Sequence, residues 1–129
     1  MTRTIFDTPE LDAIRDLARK FATDRVAPGY LAREKAGCMD MALVREMGSL
    51  RLIAPELPEE FGGMGAPALY SGAIIEEIGR ADFTFGYIPL LASLNGQILA
   101  QFAKREIAAE WLPKLTAGEI VLSIGLTEP

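Results

Sequence analysis

The amino-acid sequence predicts an all-α fold, a bundle-like domain of about five helices that ends in the first strand of a truncated β domain. Two observations carry this prediction. Apolar residues recur every three or four positions over most of residues 9–116, which is the spacing of one helix face. Residues 120–126 instead form a short apolar run before a terminal Thr-Glu-Pro turn. Because a lone strand lacks a hydrogen-bonding partner, we expect the front part of a longer protein, with a helical domain at 1–118 and a truncated β domain at 119–129.

The first two helices have clear start signals. Thr8 is a suitable N-cap and Pro9 suits the first helical position, so helix one begins there. We expect Pro28-Gly29 to end it, because proline cannot donate a backbone hydrogen bond inside a helix. Asp40 is positioned to cap a shorter second helix. The apolar faces of the two helices are formed by Leu11, Ile14, Leu17, Ala18, Phe21 and Val26, and by Leu43, Val44, Met47 and Leu50.

Turn-forming residues crowd residues 54–67, which predicts an ordered loop. Its Gly-Gly-Met-Gly run lacks the Lys-Ser/Thr of a phosphate-binding loop, so a tight turn is the better interpretation. Helix three follows over about 68–80. Neighbouring helical residues diverge by about 100°, so Glu76 and Glu77 cannot both face one substrate. We therefore expect these two carboxylates to lie near water rather than to act in acid–base catalysis.

Helices four and five cover about 84–102 and 104–116. Helix four is apolar on all sides, so it must face either the core or a ligand. Pro89 either kinks it or marks its true first turn. Trp111 falls on the apolar stripe of helix five, where a core position is expected, and Gly118 should end that helix.

Composition excludes several classes of function. The net charge of −5, without a basic run, argues against nucleic acid as a partner. The chain has no histidine, which excludes a Ser-His-Asp triad and a histidine-containing zinc site, and we expect no metal ligands. Cys38 is the single cysteine, so the reducing cytoplasm fits best. Residues 85–103 are apolar but interrupted by Pro89 and Asn95, which favours a buried helix over a membrane span.

Four segments, in this order, resemble motifs of the acyl-CoA dehydrogenase family of flavoproteins. They are Pro58-Glu59-Glu60-Phe61-Gly62-Gly63-Met64-Gly65, Glu76-Glu77-Ile78-Gly79-Arg80-Ala81-Asp82, Trp111-Leu112-Pro113-Lys114-Leu115-Thr116-Ala117-Gly118-Glu119 and Leu126-Thr127-Glu128-Pro129. Each segment is weak alone, but their order and spacing make the resemblance strong and extend it over nearly the whole chain.

The resemblance implies a helical N-terminal domain of an enzyme that binds FAD and oxidises the Cα–Cβ bond of an acyl-CoA thioester. It also implies transfer of the electrons to an electron-transferring flavoprotein and assembly as a dimer or tetramer. The chain ends before the Gly-Ser-Asp that follows this turn in the family. The resemblance therefore implies that the catalytic glutamate lies elsewhere, and we assign no catalytic residue here.

The resemblance also implies which residues touch the cofactor and the substrate. The hydroxyl of Thr127 would face the pyrimidine side of the flavin, and the backbone near Ile124 and Leu126 would line the same ring. The pocket for the acyl tail would be lined by Gly86, Leu90, Leu91 and Leu94. Many relatives have a histidine at about the place of Ser93, where this chain has none.

Two alternatives stay open. The chain could be a free-standing helical interaction module without catalysis. The same fold also supports an acyl-CoA oxidase or a flavin-dependent monooxygenase.

Overall fold

The computed structural model describes residues 6–127, and it confirms the predicted all-α class. The described chain contains the five predicted helices and a short additional one. In order they are α1 (Pro9–Phe21), α2 (Tyr30–Ala36), α3 (Met41–Ser49), α4 (Ala68–Ala81), α5 (Tyr87–Phe102) and α6 (Arg105–Thr116). Helix α1 packs along α4, and α5 packs against both α4 and α6. The helices therefore form one bundle with α4 near its centre.

Side-chain caps set the start of two helices as predicted. The Thr8 hydroxyl accepts a hydrogen bond from the backbone N–H of Leu11 at 3.1 Å. The Asp40 carboxylate accepts from the N–H groups of Ala42 and Leu43, both at 3.1 Å. These bonds satisfy donors that the first turn of a helix leaves without partners, so the helix boundaries follow from local sequence.

The prediction that Pro28-Gly29 ends the first helical segment is wrong. Residues Ala22–Val26 form a π-helical turn, Ala27–Gly29 form a 3₁₀ turn, and α2 continues from Tyr30. The N–H of Ala27 bonds to the carbonyl of Ala22, five residues back. A continuous α-helix would require a donor at Pro28 and would bring its ring against the carbonyl of residue 24. The wider turn accommodates the proline without stopping the helical path.

The loop over residues 54–67 is ordered around one short 3₁₀ turn, Glu59–Phe61. Gly62 has φ +85°, a left-handed value that glycine adopts without strain. A Cβ at Gly63 would lie 1.9 Å from the carbonyl oxygen of Leu57. The glycines therefore serve a tight turn, as the sequence indicated.

Helix α4 differs from its prediction at one glutamate. Glu76 is half-exposed, but the side chain of Glu77 is only 2% exposed. The Arg19 guanidinium donates to both Glu77 carboxylate oxygens, at 3.0 and 3.2 Å, and Arg15 lies 3.8 Å away. The expectation that Glu77 lies near water is wrong, because two arginines of α1 compensate its burial.

Helix α6 runs through Pro113 without a break and ends before Gly118, which has φ +71°. Leu112 and Leu115 are buried, but Trp111 is 39% exposed, so its predicted core position is wrong. The Lys114 ammonium lies 4.6 Å from the centroid of the Trp111 ring. That contact lets the indole remain at the surface.

Helix α5 is apolar on both faces, and only one of them is covered. Its inward face packs Ile88, Ala92 and Asn95 into the bundle. Pro89 lies in the first turn, and α5 continues from it to Phe102. No helix among residues 6–127 combines the length and the hydropathy needed to cross a membrane.

After Gly118 the described chain runs to Thr127 without helix. Ile120 and Leu122 are half-buried against the bundle, whereas Val121 and Ser123 are exposed. This two-residue alternation is typical of extended chain. The predicted strand and the 118/119 domain boundary stay predictions, and the last two residues of the Thr-Glu-Pro turn lie outside the described range.

Candidate functional site

The outward face of α5 forms an apolar groove of about 360 Å³. We call it the α5 groove; its lining residues are Leu90, Ser93, Leu94, Gln97, Ile98, Gln101 and Phe102. The three aliphatic side chains are each about 40–50% exposed, and Phe102 is 79% exposed. These residues follow one another at helical spacing, so one stripe of the helix builds the whole floor. An uncovered apolar stripe of this kind marks a binding surface.

The structure brings together part of the predicted acyl pocket. Leu90 and Leu94 both line the α5 groove, and Leu91 lies half-buried beside them on the same helix. Gly86 is buried at the start of α5, away from the groove. A Cβ at Gly86 would lie 2.9 Å from the Cα of Gly79, so this glycine allows α5 to approach α4 closely.

A carboxylate accepts a hydrogen bond from one of the polar side chains that line the groove. Ser93 lines the groove and donates its hydroxyl hydrogen to Glu56, a residue of the ordered loop. Ser71 of α4 donates to the other oxygen of the same carboxylate. Glu56 therefore ties the loop to α4 and α5, and it leaves the Ser93 oxygen as a hydrogen-bond acceptor toward the groove.

The residues predicted to touch the flavin lie on the segment after α6. Ile124, Leu126 and Thr127 are exposed, and none lines the α5 groove. The segment is fixed to α5 upstream of them, where the Asn95 side-chain amide donates to the carbonyl of Leu122 at 3.2 Å. The groove and the segment are thus joined through one helix.

Sequence reasoning missed Glu56 and Asn95. Nothing in the sequence indicates that Glu56 reaches Ser93, because 37 positions separate them and the contact depends on tertiary packing. A signal for Asn95 does exist. It continues the helical spacing of Ile88 and Ala92, which places a polar side chain on the buried face of an apolar helix.

A second depression, of about 350 Å³, lies between α2 and the α4–α5 turn. Two of its charged groups, Arg33 and Asp82, form an ion pair. Arg33 donates to Asp82 at 2.8 and 3.1 Å, and its guanidinium carbon lies 5.5 Å from the centroid of the Phe85 ring. The Arg33–Asp82 pair is therefore structural, and Glu34, which also lines the depression, accepts a hydrogen bond from the Thr84 hydroxyl at 3.3 Å.

Comparison with known proteins supports one family. The family model "Acyl-CoA dehydrogenase, N-terminal domain" matches residues 8–119. The chain is 32% identical over 123 residues to (2S)-methylsuccinyl-CoA dehydrogenase of Cereibacter sphaeroides, covering 93% of this chain and 22% of that protein. It is also 32% identical to the mitochondrial long-chain specific acyl-CoA dehydrogenase of Sus scrofa, covering 98% and 29%.

A solved structure gives the same answer at the level of fold. A chain in the structure of an electron transferring flavoprotein of Acidaminococcus fermentans superposes with a TM-score of 0.88 and 30% identity. The match covers 98% of this chain and 34% of that one. The chain therefore spans between about a fifth and a third of the length of these three proteins.

Proposed function

Because this chain belongs to the acyl-CoA dehydrogenase family, we propose that the full-length protein is an FAD-dependent dehydrogenase that introduces a Cα–Cβ double bond into an acyl-CoA thioester. The observation that carries the proposal is the uncovered α5 groove beside the segment that leads to Thr127. The rival reading as a non-catalytic helical module has no comparable support.

The α5 groove fits the acyl tail of such a substrate. Leu90, Leu94 and Ile98 offer apolar surface that gains free energy when a hydrocarbon chain displaces water from it. Gln97 and Gln101 border the groove and are hydrogen-bonded to each other at 3.1 Å. A groove with an apolar floor and a few polar groups is the usual form of a small-molecule site.

The segment after α6 fits one edge of a flavin. Thr127 supplies an exposed hydroxyl donor, and Ile124 and Leu126 supply exposed apolar surface on the same stretch. The cofactor, when bound, accepts the hydride removed from the β-carbon. The Thr127 hydroxyl would hydrogen-bond the pyrimidine edge and stabilise the negative charge of the reduced form. The base that removes the α-proton is not assigned to any glutamate of this chain.

The flavin contact can be tested in the full-length protein with Thr127→Val. Loss of one hydrogen bond to the reduced cofactor should lower the midpoint potential by roughly 10–30 mV for a two-electron couple. Ser123→Ala is the matched control, since it removes an exposed hydroxyl from the same segment. An unchanged potential and FAD affinity in Thr127→Val would refute the contact.

The acyl contact can be tested with Leu90→Ala. Removing a branched side chain from the groove floor should shift kcat/KM toward longer acyl chains, by about tenfold for the favoured length. Leu69→Ala is the control, because Leu69 is an equally exposed leucine (45%) on α4, outside the groove. If both variants kept the wild-type chain-length profile, Leu90 would have no role in substrate selection.

The cofactor site should be incomplete in residues 1–129. A threonine hydroxyl contributes only about 0.5–1.5 kcal/mol, whereas micromolar binding requires about 8 kcal/mol. The isolated chain should therefore be helical but colourless, and its exposed groove should promote self-association. An FAD titration of the isolated chain, followed by fluorescence, tests whether the cofactor site is incomplete. Micromolar affinity would show that residues 1–129 hold the site.

The remaining parts of the proposal concern the setting of the enzyme. We place the protein in the cytoplasm, since a single cysteine suits a reducing compartment. We propose a dimer or tetramer that passes electrons to an electron-transferring flavoprotein. Turnover assayed with that acceptor and with O₂ separates a dehydrogenase from an oxidase.

A further inference from the structure

Asn95 is a buried polar residue in the most apolar helix of the domain. It is 6% exposed, and it sits on the inward face of α5 between Ala92 and Gly96. Burying an amide costs free energy unless the group is hydrogen-bonded. The Asn95 Nδ2 atom makes that bond to the carbonyl oxygen of Leu122, 27 positions later. The amide therefore links the inward face of α5 to the segment after α6.

This bond selects one register of the segment. Ile120 and Leu122 face the bundle, whereas Val121 and Ser123 face outward. In extended chain, a shift by one residue exchanges the two faces. Within residues 6–127 the Asn95 amide provides the hydrogen bond that ties positions 120–127 to the helices. A one-residue shift would also turn the carbonyl at this position away from the Asn95 amide, so the hydrogen bond and the apolar packing favour the same facing of the segment.

The anchor is next to the groove. Leu94 lines the α5 groove, and the following residue, Asn95, lies about 100° further round the same helical turn and bonds the segment. Thr127 follows Leu122, whose carbonyl is bonded, by five positions. One turn of α5 thus fixes both the surface proposed for the acyl tail and the segment proposed for the flavin.

We propose that Asn95 is a positioning residue that holds the segment 120–127 in register with the α5 groove. The inference rests on the proposed function, because it concerns the alignment of cofactor and substrate. Hydride transfer requires the reacting atoms to be about 3–3.5 Å apart, and a misplacement of about 1 Å costs on the order of 100-fold in rate. Asn95 touches neither substrate nor cofactor; it acts through the backbone of Leu122.

The first test uses Asn95→Leu in the full-length protein, with Thr116→Val as the matched control. Thr116 is also buried, at 5% exposure, and donates to the Phe61 carbonyl at 3.0 Å, so its loss removes a buried hydrogen bond away from the segment. We expect Asn95→Leu to lower kcat by about 10- to 100-fold and to shift the flavin absorption spectrum, with a smaller change in KM. Thr116→Val should lower the unfolding temperature and leave both readouts unchanged.

The second test does not depend on the flavin. Thermolysin cleaves beside large apolar residues, and the segment offers Val121, Leu122, Ile124 and Leu126. In the 129-residue chain, Asn95→Leu should raise the cleavage rate within 120–127 by about five- to tenfold, as expected for one lost hydrogen bond. Thr116→Val should not. Asn95→Ser, which is smaller and too short to reach Leu122, replaces Asn95→Leu if the leucine variant does not fold.

The outcomes separate the two proposals. Unchanged cleavage within 120–127 in the Asn95 variants would overturn the anchor. Faster cleavage with unchanged kcat and flavin spectrum would overturn the positioning role. A wild-type protein that binds no flavin would overturn the proposed function, and the cleavage rates would still decide whether Asn95 holds the segment.

Discussion

Helices α4 and α5 lie side by side, but they differ in how much of their surface the rest of the bundle covers. The inward face of α4 buries Ile74 and Ile78, and the adjacent carboxylate of Glu77 is held by arginines of α1. Helix α5 also has a buried inward face, but its outward stripe of Leu90, Leu94 and Ile98 is uncovered. Within the described chain, the buried charge of α4 has its partners, whereas the apolar stripe of α5 has no covering side chains. The contrast is the reason why we propose the α5 groove, which the helical bundle leaves open, as the substrate surface.

The contact between α1 and α4 contains a partly buried ion pair that shifts the pKa of one of its members. The two-pronged hydrogen bond to Glu77 raises the pKa of the Arg19 guanidinium, with the negative charge of Glu77 as the next cause. Burial of Glu77 is tolerated because its oxygens already have charged donors. Such an arrangement supports folding and offers a ligand nothing, whereas the α5 groove offers surface that only a ligand or another part of the protein can cover.

The largest expected effect comes from Asp82→Ala at the end of α4. Asp82 is 4% exposed, accepts two bonds from Arg33 and also accepts from the N–H of Phe85 at 3.0 Å. Removing the carboxylate leaves the Arg33 guanidinium, 13% exposed, with only the Val26 carbonyl as acceptor among the described residues and leaves the N–H of Phe85 without its acceptor, so the free energy of unfolding should fall by roughly 3–5 kcal/mol. Urea denaturation measures the loss.

Asp16→Ala is the control for that measurement. The Asp16 side chain is 74% exposed and pairs with Arg19 at the surface, so its removal should cost less than about 1 kcal/mol. Equal losses in the two variants would mean that the buried pair has no special role in stability.

A matched pair of isoleucines tests the comparison between the helices directly. Ile78→Ala on α4 removes a fully buried side chain and should cost about 2–4 kcal/mol. Ile98→Ala on α5 removes one that is 39% exposed and should cost less than about 1 kcal/mol in the 129-residue chain, measured at a concentration where the chain is monomeric. Thermal unfolding of both variants gives the difference. A costly Ile98→Ala would show that the α5 groove is already covered in solution.

The contrast also explains how much the sequence could predict. Helices α3 to α6 were predictable because their signals are local: caps, apolar spacing and terminal glycines. The burial of Glu77 was not, because its partner Arg19 lies 58 positions earlier and only tertiary packing brings them together. The helical path past Pro28 was missed for another reason. The sequence shows that Pro28 cannot continue a regular α-helix, but the chain can either end the helix or change to wider and tighter helical turns, and the sequence does not distinguish these conformations.

The site was predictable in the same uneven way. The all-round hydropathy of α5 indicated a helix that must face core or ligand, but periodicity alone could not say which face does which. The structure assigns Ile88 and Ala92 to the core and Leu90 and Leu94 to the surface. The contact between Asn95 and Leu122 joins segments that the sequence keeps apart, so no local pattern predicts it.

A smaller effect should come from relieving backbone strain just after α3, away from the α5 groove. Arg51 is exposed and has φ +57°, a left-handed conformation that costs an L-residue about 1–2 kcal/mol. Arg51→Gly should therefore raise the free energy of unfolding by about 0.5–1 kcal/mol, part of the gain being lost to the more flexible unfolded chain. Ala54→Gly is the comparison, since φ is +47° there but the methyl group is buried. Its gain should be nearly cancelled, and equal stabilisation in both would contradict this account.

The smallest expected effect is a pH dependence at the exposed edge of the α1–α4 contact. The hydrogen bond from Arg15 to Glu76, at 2.9 Å, holds the pKa of that carboxyl below its ordinary value of 4.5, against the opposing effect of partial burial. A lowered pKa in the folded state stabilises the protein above pH 4.5, and the contribution disappears as the pH falls through the folded value.

Glu76→Gln should therefore be less stable than the wild type at pH 7, and the two should converge as the pH falls below the lowered pKa of Glu76 in the folded state. Because Glu76 is 51% exposed, solvent screens the pair and the difference at pH 7 should be only about 0.2–1 kcal/mol. Urea titrations at several pH values measure it, and 1 M salt, with a screening length of about 3 Å, should reduce it. A difference that stayed constant as the pH was lowered from 7 into the acid range would place the effect in packing rather than charge. The edge of α4 would then resemble the outward face of α5, where the exposed side chains Leu90, Leu94 and Ile98 are apolar.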